Sequence, residues 1–152
     1  MRSLLFTLAA ILFFMHGNAQ NNAGYDSVLA KKLGADAYGM KRYVMAFLKT
    51  GPTEIKDSAA RAQLQMAHLK NIMRLANEGK LIVAGPFLDG QELQGIFIFN
   101  VETIEEAKQL TNSDPAVKAG ELIMELHPWY GSAALVQTAE MHKKVQKKSI
   151  TD

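Results

Sequence analysis

The sequence predicts an α+β domain built on a ferredoxin-like βαββαβ antiparallel sheet. Three observations carry this. Four short apolar runs have strand character, and segments with helical periodicity follow the first and third of them. An Asp-Gly turn joins the second run to the third.

Ahead of the domain, Met1-Arg2 is a short positive start, and Leu4 to Met15 is an apolar run of about a dozen residues, too short to span a bilayer comfortably. Gly17-Asn18-Ala19 supplies the small residues of a cleavage site before Gln20. Residues 1–19 therefore read as a signal peptide, with export to the periplasm or beyond the cell and no membrane contact once it is removed. Residues 20–40 are polar and glycine-containing and read as an N-terminal arm, with a short helix over Tyr25 to Leu33.

Lys41 to Lys49 is the first strand, an unbroken run that suggests burial on both faces. Thr50-Gly51-Pro52 closes it, because proline cannot continue a ladder. Ser58 to Glu78 is the clearest helix: Asp57 or Ser58 can cap it, and Leu64, Ala67, His68, Ile72, Leu75 and Ala76 recur at three- and four-residue steps. On this spacing Asn71 and Arg74 fall outside the stripe. Gly79 ends the helix. Leu81 to Ala84 and Gly95 to Val101 are strands two and three, joined through Asp89-Gly90 as a hairpin. Thr103 with Glu106 fits a capping box for a second helix to Leu110, and Asp114-Pro115 opens a further helical turn to Ala119. Glu121 to His127 is the last strand, with Pro128 and Gly131 ending the regular fold. The remaining tail, 131–152, can form a helix near Leu135, Val136 and Met141, but its lysine-rich end reads as solvated, His142 included.

In this arrangement both helices lie on one sheet face. The other face stays apolar, so pairing two such faces predicts a homodimer.

The 152-residue chain carries 17 Lys plus Arg against 15 Asp plus Glu and no cysteine. The near-neutral balance argues against nucleic acid as a partner. Without cysteine there is no disulfide, no thiol nucleophile and no Cys-based zinc site. There is also no Gly-rich phosphate loop, no His-x-x-x-His pair and no nucleophile elbow. No spacing supports a metal site, although His68, His127 and acids could converge in three dimensions, and no motif calls for a cofactor.

His68 is the most informative residue. An imidazole on an inward stripe is partly desolvated and needs a partner. That suits a general acid or base, and equally a core-edge histidine satisfied by the backbone. Asp114 before Pro115 is a helix N-cap on spacing alone. The roles are compatible, since one carboxylate oxygen can cap while the other holds an imidazole tautomer. Gly85-Pro86 is a strand end where a ligand or another backbone can approach closely, or simply a bend before the hairpin. Trp129 walls a pocket or a dimer seam, or packs as core.

Ala67-His68-Leu69, Asn77-Glu78-Gly79-Lys80-Leu81 and Ala84-Gly85-Pro86 together resemble the YCII-related (YciI-like) proteins. Ile104-Glu105-Glu106-Ala107, Ser113-Asp114-Pro115-Ala116-Val117, Ala119-Gly120 and Pro128-Trp129 continue the resemblance, which covers about residues 41–130. It implies a dimeric α+β barrel of ferredoxin-like subunits and an active site of His68 and Asp114. His68 would act as general acid or base, and Asp114 as its orienter and charge partner. Beside that pair, and from their own places at strand ends rather than from the resemblance, Gly85, Pro86 and Trp129 are expected to line the pocket. Some relatives are lyases that remove halide from a ring compound without a cofactor. The leader, the arm and the tail beyond Trp129 depart from the family pattern, so no substrate carries over. The expected function is cofactor-independent acid/base chemistry on a small organic molecule. The alternatives are a small-molecule binding or sensing dimer without turnover, and an exported scaffold whose tail docks a protein.

Overall fold

The computed structural model describes residues 22–151, so the segment 1–19, read from the sequence as a signal peptide, lies outside the described residues. Four antiparallel strands, β1 (Met40–Thr50), β2 (Leu81–Pro86), β3 (Leu93–Phe99) and β4 (Leu122–Ser132), form one sheet in the order β2-β3-β1-β4. This is the ferredoxin-like order, with β1 and β3 central.

A short helix, α1 (Ser27–Leu33), precedes the sheet, and α2 (Ser58–Asn77), α3 (Ile104–Thr111) and α4 (Pro115–Lys118) supply the crossings. The Asp57 side chain caps α2 by accepting from the Ala60 N–H at 2.7 Å, and Gly79 takes a left-handed φ of 68° after its end. Thr103 caps α3 by accepting from the Glu106 N–H at 3.2 Å, while its hydroxyl meets the Glu106 carboxylate at 3.0 Å.

The alternation of β1 sorts the core. Val44, Ala46 and Leu48 face the helices, together with Phe97 and Phe99 of β3, Leu75 of α2 and Ala107 of α3. Tyr43 points to the opposite face, beside Ile82 and Ile98. Full burial on the helix face and partial cover of Met45 and Phe47 beside buried Tyr43 on the other explain why this strand reads as an unbroken apolar run.

Two features differ from the expectation. First, β4 does not stop at His127 but runs through Pro128 and Gly131, keeping register from Thr50↔Leu122 to Met40↔Ser132. It is an edge strand, where a missing N–H can face away from the ladder. Second, the tail folds back on the domain. A 3₁₀ turn, Ala133–Gln137, buries Ala133 and lays Leu135 and Val136 over Tyr43, Ile82 and Ile98, and α5 (Thr138–Val145) follows. The outer sheet face is therefore covered at one end, while Phe47 and Ile96 farther along it stay partly exposed.

Trp129 belongs to this covered end. Its indole packs against Tyr43, with ring centroids 5.8 Å apart. A side chain at Gly131 would place its Cβ 2.3 Å from that ring. Gly131→Ala should thus force the indole out of its packing and destabilise the protein by about 1–3 kcal/mol. A denaturant midpoint matching the wild type would contradict this placement of Trp129.

The arm is tied down by Asp36, whose carboxylate accepts from the N–H groups of Tyr38 and Met40 at 2.9 and 3.0 Å and from the Tyr130 hydroxyl. Among the described residues no helix is long and apolar enough to cross a membrane.

Candidate functional site

His68 lies on the inner face of α2 and is 7% exposed. Its ring stacks on Phe97 with centroids 6.0 Å apart and planes 14° from parallel. The long α2–β packing brings the α3–α4 connection against this helix, and with it Asp114, which is 1% exposed. The His68 Nδ1 sits 2.9 Å from Asp114 Oδ1 and 2.8 Å from Oδ2. The same carboxylate caps α4, accepting from the Ala116 N–H at 2.9 Å. Cap and histidine partner are one residue.

A third group completes the arrangement. Asn71, one turn along α2 from His68, is buried and donates its amide to Asp114 Oδ2 at 3.2 Å. The Asn71 carbonyl oxygen accepts from the Arg74 guanidinium at 2.8 Å. Arg74 also donates to the Ser113 hydroxyl at 2.9 Å and to both Glu78 carboxylate oxygens at 2.9 and 3.0 Å. A chain of polar contacts thus runs from the surface pair Arg74–Glu78 through Asn71 and Asp114 to His68. The sequence reading placed Asn71 and Arg74 off the inward stripe. Their polar character hid what the three-residue step from His68 to Asn71 shows, that both share one helix face.

Burial pushes the Asp114 carboxyl up, but the hydrogen bond and charge of His68, the Ala116 N–H and the Asn71 amide outweigh it and hold the group below its ordinary range. Asp114 is therefore an anion at neutral pH. An anionic acceptor at Nδ1 fixes the proton on that nitrogen, so the neutral ring carries its lone pair on Nε2. Among the described residues Nε2 has no hydrogen-bond partner.

His68 lines a cavity of about 570 Å³ between α2 and β2. Its walls are mostly apolar, with Leu69, Ile72 and Met73 of α2 facing Phe97 and Ala84. Gly85 and Pro86 line it too, and a Cβ on Gly85 would meet no atom within 4 Å. Trp129 does not line it: the alternation of β4 sends the indole to the opposite sheet face, against Tyr43. His127 likewise lies away from the cavity, bonded to Glu125 at 2.9 Å and edge-on to Phe47. His142, read from the sequence as a solvated tail residue, lines the cavity because α5 folds over it. Among the described residues no cluster of three or more histidine or acidic side chains is placed to hold a metal.

A ferredoxin-like α+β domain with a buried histidine–aspartate pair at an apolar cavity defines the class. The chain belongs to the YCII-related domain family, whose model matches residues 42–130. No curated protein matches it. Among solved structures it is similar to the 5-chloro-2-hydroxyhydroquinone dehydrochlorinase TftG from Burkholderia phenoliruptrix AC1100, captured in complex with 2,5-dihydroxybenzoquinone. The identity is 24% over 59% of this chain and 93% of that one, with a TM-score of 0.43.

Proposed function

We propose that this protein is a cofactor-independent acid/base enzyme acting on a small organic molecule, with lyase-like chemistry. The observation that carries the reading is the engagement of His68 Nδ1 by the buried Asp114 carboxylate, which leaves Nε2 as the ring nitrogen serving the cavity. In that arrangement Nε2 takes a proton from a bound molecule, and Asp114 stabilises the imidazolium that results. The stacked Phe97 and the Asn71 amide keep both groups in place. Proton removal beside a leaving group is the first half of an elimination, and the same Nε2–H can return the proton to the departing group or to solvent.

The leader read at residues 1–19 supports export of this activity from the cytoplasm. The partly exposed stretch of the outer sheet face, around Phe47 and Ile96, is where a second subunit would pack to make a homodimer of the α+β barrel kind. Phe47→Glu should convert that dimer to a monomer in sedimentation, and a wild-type protein that already sediments as a monomer would contradict the dimer.

The functional test works with the substrate unidentified. Small carbon acids and ring compounds bearing leaving groups are incubated in D₂O with the wild type and with His68→Gln. Deuterium uptake or release of the leaving group is then followed by NMR. The reading expects His68-dependent exchange or elimination for some of them. A compound that binds and stabilises the wild type, yet stays unchanged with no exchange on long incubation, favours a binding or sensing protein instead.

A further inference from the structure

The tail beyond the family-matched segment supplies part of the cavity wall. Five residues from Thr138 to Gln146 line it: Thr138, Ala139, His142, Lys143 and Gln146. Their spacing puts them on one face of α5 and its C-terminal cap. The orientation is the reverse of an ordinary surface helix, which turns its apolar side to the protein. Here Met141 and Val145 are 54% and 78% exposed, and no residue of α5 is buried. Burial within α5 itself therefore does not hold the helix there; the preceding 3₁₀ turn, packed on Tyr43, Ile82 and Ile98, carries it across the cavity.

The charge of the cavity wall is one-sided. Its titratable groups are His68, His142 and Lys143, and no Asp or Glu is among them. Asp114 lies behind His68 and is taken up by it. The one ion pair of α5 among the described residues joins Lys144 to Glu140 at 3.5 Å, which leaves Lys143 without an acidic partner. Lys143 and His142 are solvent-exposed where they border the cavity, and an unpaired lysine at the rim of a mostly apolar cavity offers an anion a charge-assisted contact.

We infer that α5 is the specificity wall of the cavity, and that Lys143, with His142 and Gln146, binds the carboxylate of a ligand whose apolar body lies against Ile72, Met73 and Phe97. The inference rests on the proposed use of this cavity, but it concerns recognition and holds whether or not the ligand is turned over. A carboxylate held at the roof leaves the apolar body between it and His68, so the group recognised and the atom that would lose a proton sit at different ends of one ligand.

Cyclohexylacetate and naphthoate, each beside its neutral primary amide, are titrated into the full chain and followed by NMR shift perturbation and by calorimetry. The expected result is carboxylate binding about tenfold tighter than the amide. Shifts should be centred on α5 and α2, and the preference should disappear in Lys143→Gln combined with His142→Gln. Because α5 buries no residue, these variants keep the fold, and the wild-type comparison stands without them. Equal affinity for acid and amide overturns the inference. So do a preference that survives the double variant and a failure of both carboxylates to bind. His68→Gln separates the two ideas: it should abolish proton exchange and keep the carboxylate preference. Loss of exchange with retained preference supports both ideas, and carboxylate-preferring binding without exchange in the wild type counts only against catalysis.

Discussion

Under the proposed function, His68→Gln should sharply reduce turnover and leave a folded protein. The loss should be on the order of 10²–10⁴-fold, the contribution usual for one positioned acid or base. Glutamine keeps a polar side chain within reach of Asp114, so the carboxylate is not left wholly bare. The stability cost should stay within about 1–3 kcal/mol, the range for disturbing one buried hydrogen bond. Circular dichroism and a urea titration check the fold, and the exchange assay checks the activity. Retained exchange in His68→Gln would remove the histidine from the chemistry, and with it the reading of the site.

Asp114→Asn has a subtler cause and a comparable effect on rate. The asparagine oxygen can still cap α4 through the Ala116 N–H. Its amide then faces His68 Nδ1, which must become the acceptor. The ring proton moves to Nε2 and the cavity loses its lone pair. Turnover should fall on the order of 10²–10⁴-fold with the cavity unchanged in shape. The same residue sets an acid limit on stability. The native state holds this carboxyl below its unfolded value, so its stabilising effect is complete above the unfolded value. It is lost as pH falls below about 4, where the unfolded chain takes up the proton first. Wild-type urea midpoints should drop through that window. Those of Asp114→Asn should be lower at neutral pH and flatter in acid. Parallel curves for the two proteins would show that the native fold does not favour the ionised carboxylate beside His68.

The strands and the long helix were legible because their residues repeat. In the run Tyr43 to Leu48, Val44, Ala46 and Leu48 are buried under the helices and Tyr43 on the other face, with Met45 and Phe47 partly covered there, and the stripe from Leu64 to Ala76 follows one helix face. His68 was legible as an inward polar residue for the same reason. Its meeting with Asp114 is separated by 46 positions and was readable only through the family resemblance. Asn71 was missed because a polar side chain on a polar-flanked helix looks solvated until its partner arrives from elsewhere in the fold. Pro128 and Gly131 misled because their usual effect depends on which side of a strand carries the ladder, and only the sheet order makes β4 an edge. Trp129 was placed at the pocket by proximity to the last strand, and the pleat sends it to the other face. The position of α5 could not be read at all. An apolar pair such as Met141 and Val145 would ordinarily turn inward, yet the 3₁₀ turn over Tyr43, Ile82 and Ile98 swings the helix across the cavity with its polar face down.

The most direct test of the account is the nitrogen spectrum of the His68 ring, read by long-range ¹H–¹⁵N correlation under conditions where the imidazole is neutral. Engagement by Asp114 predicts the proton on Nδ1 and a free lone pair on Nε2, with the two reversed in Asp114→Asn. A wild-type ring that carries its proton on Nε2, or a tautomer indifferent to the loss of the Asp114 charge, would contradict it.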